Sequence, residues 1–82
     1  MTKRVVFLAP ARKALRKHRS EAVRIISKIE AYAANPSAFA KVKTLEGRPG
    51  KRLRVGEFRV VFEETAEEIV VTGIGPRGGI YD

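Results

Sequence analysis

The chain contains no cysteine, no tryptophan and one histidine, His18, in 82 residues. Without cysteine, disulfides and thiolate metal sites are excluded. One histidine and nine scattered acids make a zinc or calcium centre an unpromising reading, so no metal and no cofactor are expected. No apolar run approaches the roughly 20 residues of a membrane span. The opening run Val5-Val6-Phe7-Leu8 breaks at Pro10 and is too short for a secretory signal. These absences lead us to expect a cytoplasmic protein with no membrane partner.

Carboxylates are the scarcest group relative to need. Seventeen Lys and Arg face nine Asp and Glu, a net charge of +8. The charge is sorted along the chain. Residues 1–35 hold nine basic residues and two acids, and residues 41–59 hold seven and two. Four acids, Glu63, Glu64, Glu67 and Glu68, bracket a single turn. A sorted positive field favours a polyanionic partner over a basic surface kept only for solubility.

The length fits one domain, residues 1–82. Thr2–Leu8 reads as a strand. Pro10 suits the first turn of a helix running from Ala11 to about Lys17. Ser20 is the expected N-cap of a second helix, Glu21–Ala34, in which Ala22, Ile25, Ile26, Ile29, Tyr32 and Ala33 form an apolar stripe. Asn35-Pro36 ends it, and Phe39–Gly50 reads as a connector. Three short strands follow: Lys51–Val55, Phe58–Glu63 and Glu68–Ile74. The order predicts an α+β fold. An N-terminal strand and a two-helix hairpin precede a three-stranded antiparallel meander, and one sheet packs on the helices.

Gly56-Glu57 places glycine where a type II′ hairpin turn requires it. The register then pairs Val55 with Phe58, Arg54 with Arg59, Leu53 with Val60 and Arg52 with Val61. Leu53, Val55, Phe58, Val60 and Phe62 share the core side, as does Lys51. Arg52, Arg54, Arg59 and Val61 share the other. With an even loop after Glu63, Thr72 falls beside Arg59 and Val70 beside Val61. Arg54 opposite Arg59 costs up to about 1 kcal/mol, and no acid on that face offsets it. Arginine also offers a planar fork suited to phosphate oxygens. Surface charge runs are commonly only solvated, and this motif alone weighs the two readings about equally. The basic helix face, including Arg12 and Arg16, is read as an RNA or protein contact, and His18 as a surface histidine.

The segments LEGRPGKRLRVGEFRVVF and VTGIGPRGGIY, with the strand and helix pair before them, resemble the RelE/ParE superfamily of bacterial toxins, in its RelE branch. The resemblance covers most of the chain. It implies an endoribonuclease that cuts mRNA in the ribosomal A site by attack of the ribose 2′-hydroxyl, as the toxin of a plasmid-stabilising type II toxin–antitoxin system. It also implies a cognate antitoxin and ribosomal RNA as partners. Carried over by motif, the catalytic residues are Arg54, Arg59, Arg77 and Tyr81, with Lys51 and Arg52 contacting RNA; Arg12 and Arg16 of the basic helix are read as further RNA contacts. Arginine stands here where relatives carry lysine, and Phe58 where tyrosine is common. Tyr81 ranks above Lys51 as a base, because the strand pattern turns Lys51 to the core side. Two alternatives remain open: a ParE-like inhibitor of DNA gyrase, and a basic nucleic-acid-binding module without activity.

Overall fold

Two helices cover one face of a five-stranded sheet, and among the described residues no element packs on the other. The computed structural model describes residues 2–39, 42–45, 47 and 50–76. The elements are β1 (Arg4–Phe7), α1 (Ala9–Lys17), α2 (Arg19–Ala34), a 3-10 turn (Pro36–Ala38), β2 (Lys43–Thr44), β3 (Lys51–Val55), β4 (Phe58–Glu64) and β5 (Glu68–Pro76). Their order across the sheet is β1-β5-β4-β3-β2, with β1 parallel to β5 and every other pair antiparallel. The strand, helix pair and meander are as the sequence pattern predicts.

Both helices bury their apolar sides. Ala11 of α1 and Ile25, Ile29, Tyr32 and Ala33 of α2 join Leu53, Val55, Val60, Phe62, Ile69, Val71 and Ile74 in one core. Pro10 stands in the first turn of α1, where its missing N–H costs nothing. The helix boundary differs from expectation. His18, not Ser20, closes α1 and opens α2, and its backbone N–H bonds Ala14 O at 2.9 Å. A single non-helical residue bends the chain there, so the sequence carries no longer break to read.

Two further differences shape the bare face. The connector contains β2, whose Lys43 pairs with Arg52 and Thr44 with Lys51. In β5 a bulge makes Thr72 an extra residue: Val61 pairs with Gly73 and Phe62 with Val71. Thr72 donates its hydroxyl to Val61 O at 3.3 Å. Arg59 therefore pairs with Gly75, not Thr72, and Val70 lies opposite Glu63, not Val61. The expected register assumed a four-residue loop and an unbroken ladder; the turn closes two residues tighter, with Glu64 opposite Ile69, and the bulge adds one more, so Arg59 meets a residue three places further along β5.

The β3–β4 register agrees residue for residue with the sequence reading. Gly56 takes φ +58, and no described non-glycine residue has a positive φ, which fits type II′ rather than I′. A Cβ on Gly56 would lie 1.8 Å from a guanidinium nitrogen of Arg24, so α2 rests a side chain on the turn.

Candidate nucleic-acid interface

Strand alternation carries Arg52 and Arg54 of β3 and Arg59 and Val61 of β4 to the face away from the helices. Arg54 lies directly opposite Arg59, and Arg59 in turn opposite Gly75. One step along, Lys43, Arg52, Val61 and Gly73 form a second row across four strands. The two glycines add no side chains on the β5 side, and both are buried. Val61 is only 3 % exposed although it stands apart from the main core, and it gives the cationic group an apolar floor. Arg54 is exposed and bonds its own turn weakly, Nε to Gly56 O at 3.3 Å. It also forms the shoulder of a groove of about 760 Å³ lined by Lys28, Phe39 and Leu53.

Lys51 and Arg52 are neighbours in sequence and point to opposite faces. Lys51 lies on the helix side, where its Nζ donates to Glu64 Oε1 at 2.8 Å. Lys3 Nζ donates to Glu64 Oε2 at 2.6 Å, and the Tyr32 hydroxyl to Oε1 at 2.5 Å. Burial works to raise the Glu64 pKa. The hydrogen bonds from Lys3, Lys51 and Tyr32 outweigh it and hold the carboxyl at about 2. Burial, with the bond to Glu64 and its charge, pushes the Tyr32 phenol well above its ordinary value. Lys51 is thus a structural cation on the other face from the arginines with which it was grouped.

Among the described residues, ion pairs join Glu64 to Lys3 and Lys51, Glu68 to Arg4, and Glu21 to Arg24. None of these carboxylates reaches Arg52 or Arg54. Glu63 lies on the bare face but toward its opposite end, paired with Val70.

Arg12 and Arg16 belong to α1, in the helix layer, and do not join the sheet arginines. Arg12 donates to Phe7 O at 2.7 Å and ties the helix to β1. Arg77 and Tyr81 lie outside the described residues, which end at Pro76 beside Phe58, at the hairpin end of the arginine rows. Sequence reasoning missed Lys43. The alternation Lys41-Val42-Lys43-Thr44-Leu45 just before the turn glycines was the available signal, and it repeats the pattern of β3. His18 is no plain surface residue: half-buried, it sets its ring edge-on to Phe58 at 4.8 Å.

No protein-family model matches the chain, and no curated protein matches it either. Among solved structures it is similar to a chain of the archaeal RelE–RelB complex from Pyrococcus horikoshii OT3. The two share 26% identity and a TM-score of 0.76, over 98% of this chain and 100% of that one. A whole-length likeness of this quality, joined to the strand order and the arginine hairpin already described, places the chain in the RelE-like toxin superfamily.

Proposed function

We propose that this protein is the toxin of a type II toxin–antitoxin pair and acts as a ribosome-dependent endoribonuclease that cuts mRNA in the A site. The observation that carries the reading is the cationic group Lys43, Arg52, Arg54 and Arg59 on one bare sheet face beside Gly73 and Gly75. In the reaction the ribose 2′-oxygen bonds to phosphorus and the bond to the 5′-oxygen breaks. The products are a 2′,3′-cyclic phosphate and a 5′-hydroxyl. Arg54, Arg59 and Arg77 stabilise charge growing on the phosphate oxygens. Tyr81 stacks on a base or removes the 2′-hydroxyl proton. Lys51, engaged by Glu64, is the weaker base candidate. The guanidinium groups fill the charge-stabilising role, so the cut should survive a chelator.

Such a site is rich in anion binding and poor in groups that titrate near neutrality. The ribosome is proposed to supply alignment of the strand. The solved relative is a RelE–RelB complex, which supports an antitoxin encoded alongside this chain as its protein partner. The toxin is proposed to act in the cytoplasm; no helix of the described residues is long and apolar enough to cross a membrane. Labelled mRNA mixed with toxin, with and without ribosomes, tests the reading. Cuts confined to the A site of ribosome-bound message are expected, and equal cutting of naked RNA would refute the ribosome's part. Arg59→Ala and Arg77→Ala should each relieve growth arrest while antitoxin binding persists. Full toxicity in both variants would remove these residues from the mechanism.

A further inference from the structure

A second cationic feature lies around the edge of the sheet. Between α1 and the last residues of β5 is a cleft of about 280 Å³, lined by Lys13, Lys17, His18, Gly75 and Pro76 with small apolar residues between them. β1 ends at Phe7, opposite Val71, so the later part of β5 has α1 rather than a strand as its neighbour there. The described lining contains no carboxylate.

The helix composition is costly in the same sense as the arginine hairpin. Lys13 and Lys17 are i,i+4 neighbours, as are Arg12 and Arg16, and like charges at this spacing destabilise a helix by about 0.2–0.5 kcal/mol per pair. No acid occurs in α1 to offset them. Lys17 and Arg16 gain something from the helix C-terminus, but Lys13 sits a turn earlier. Arg12 is occupied by Phe7 O, whereas Lys13 and Lys17 line the cleft. Its wall includes Gly75, the cross-strand partner of Arg59. The cleft and the arginine rows thus meet at the same residue of β5. His18, braced by Phe58, supplies an N–H donor or a ring face at the far end.

We propose that the α1–β5 cleft binds RNA phosphodiester, with Lys13 and Lys17 as its anion-binding groups, and continues the track that starts on the sheet arginines. The inference rests on the RNA-directed reading above and extends it to a second contact. Either the message or ribosomal RNA supplies the same chemistry.

The test compares wild type, Lys13→Gln/Lys17→Gln and the charge-matched control Arg4→Gln/Arg24→Gln. Each is titrated with a short labelled single-stranded RNA and with vacant ribosomes over a range of salt. Gln and Lys have similar helix propensity, so the fold should persist, which circular dichroism checks. The Lys13/Lys17 variant should bind about tenfold more weakly, and its slope of log K against log salt should shrink by about 1.4, from two lost single-strand contacts. Loss on the free strand identifies the message as the occupant; loss only on ribosomes identifies ribosomal RNA; both support the cleft. An equal loss in the control variant would trace the effect to net charge and overturn the proposal. Wild-type cleavage with an unchanged slope in the Lys13/Lys17 variant would overturn the cleft alone. A wild-type protein that neither binds nor cuts RNA would overturn the parent reading and the cleft together.

Discussion

Lys51 and Arg52 stand next to each other in one strand and lead opposite lives. Lys51 turns toward the helices and meets Glu64, which also holds Lys3 and Tyr32. Arg52 turns to the bare face, where its cross-strand neighbours are Lys43 and Val61. On one side of the sheet a nearly buried carboxylate gathers two cations. On the other, cations gather, and no carboxylate of the described residues pairs with Arg52 or Arg54. The first arrangement is what a fold does when charge serves stability. The second matches the outside anion of the proposed function.

The contrast is sharpest at Glu64, the largest expected effect. Glu64→Gln removes the charge that Lys3, Lys51 and Tyr32 share and should cost about 2–4 kcal/mol. Chemical denaturation would show it, and a loss below about 0.5 kcal/mol would mean the network is ornamental. Acid should reproduce the effect. Glu64 titrates at about 2 in the folded protein against an ordinary value of 4.5. Its contribution is complete above about pH 4.5 and fades as the pH falls toward 2, by on the order of 3 kcal/mol. That acid-dependent loss should flatten in Glu64→Gln; an identical acid profile in the two proteins would assign it elsewhere.

The hairpin turn links the two regions, because Gly56 sets the register that sorts their side chains. Gly56→Ala at φ +58 should cost about 1–2 kcal/mol, while Arg24, contacted only at its flexible tip, moves aside. A melting temperature unchanged by the substitution would show the turn to be tolerant. The smallest effect is expected on the bare face. Arg54→Thr should leave stability unchanged or raise it by up to about 1 kcal/mol, because a like-charge pair disappears. The same variant should lose RNA cutting. If it instead unfolds the protein, Arg54 belongs with Lys51 among the structural cations.

Local signals were legible in the sequence. The Gly-Glu turn fixed β3 against β4, and helical spacing identified the α2 stripe. What escaped was non-local or small. β2 has two residues, too few for alternation to stand out, and with it Lys43 went unnoticed. The bulge at Thr72 has no signature in the chain; together with a turn two residues tighter than expected, it sets Gly75 rather than Thr72 beside Arg59. Glu64 looked like one acid among four at a turn. Its partners Tyr32 and Lys3 lie 32 and 61 residues away, and only the tertiary fold brings them to it. Lys51 was read onto the correct face but grouped with the arginines by resemblance, which follows motif order and not side-chain direction.

The position of β5 also has a meaning for the order of assembly. The first strand made, β1, pairs with the last, joining Arg4 to Glu68 and Phe7 to Val71. Closing so long a segment is slow, and β1 waits until residues 68–71 are made for the neighbour that holds it. Nascent chains arrested before β5 should therefore lack protease protection, and protection there would contradict this order. The rigid form is then acquired late, once the strand that holds β1 has been made.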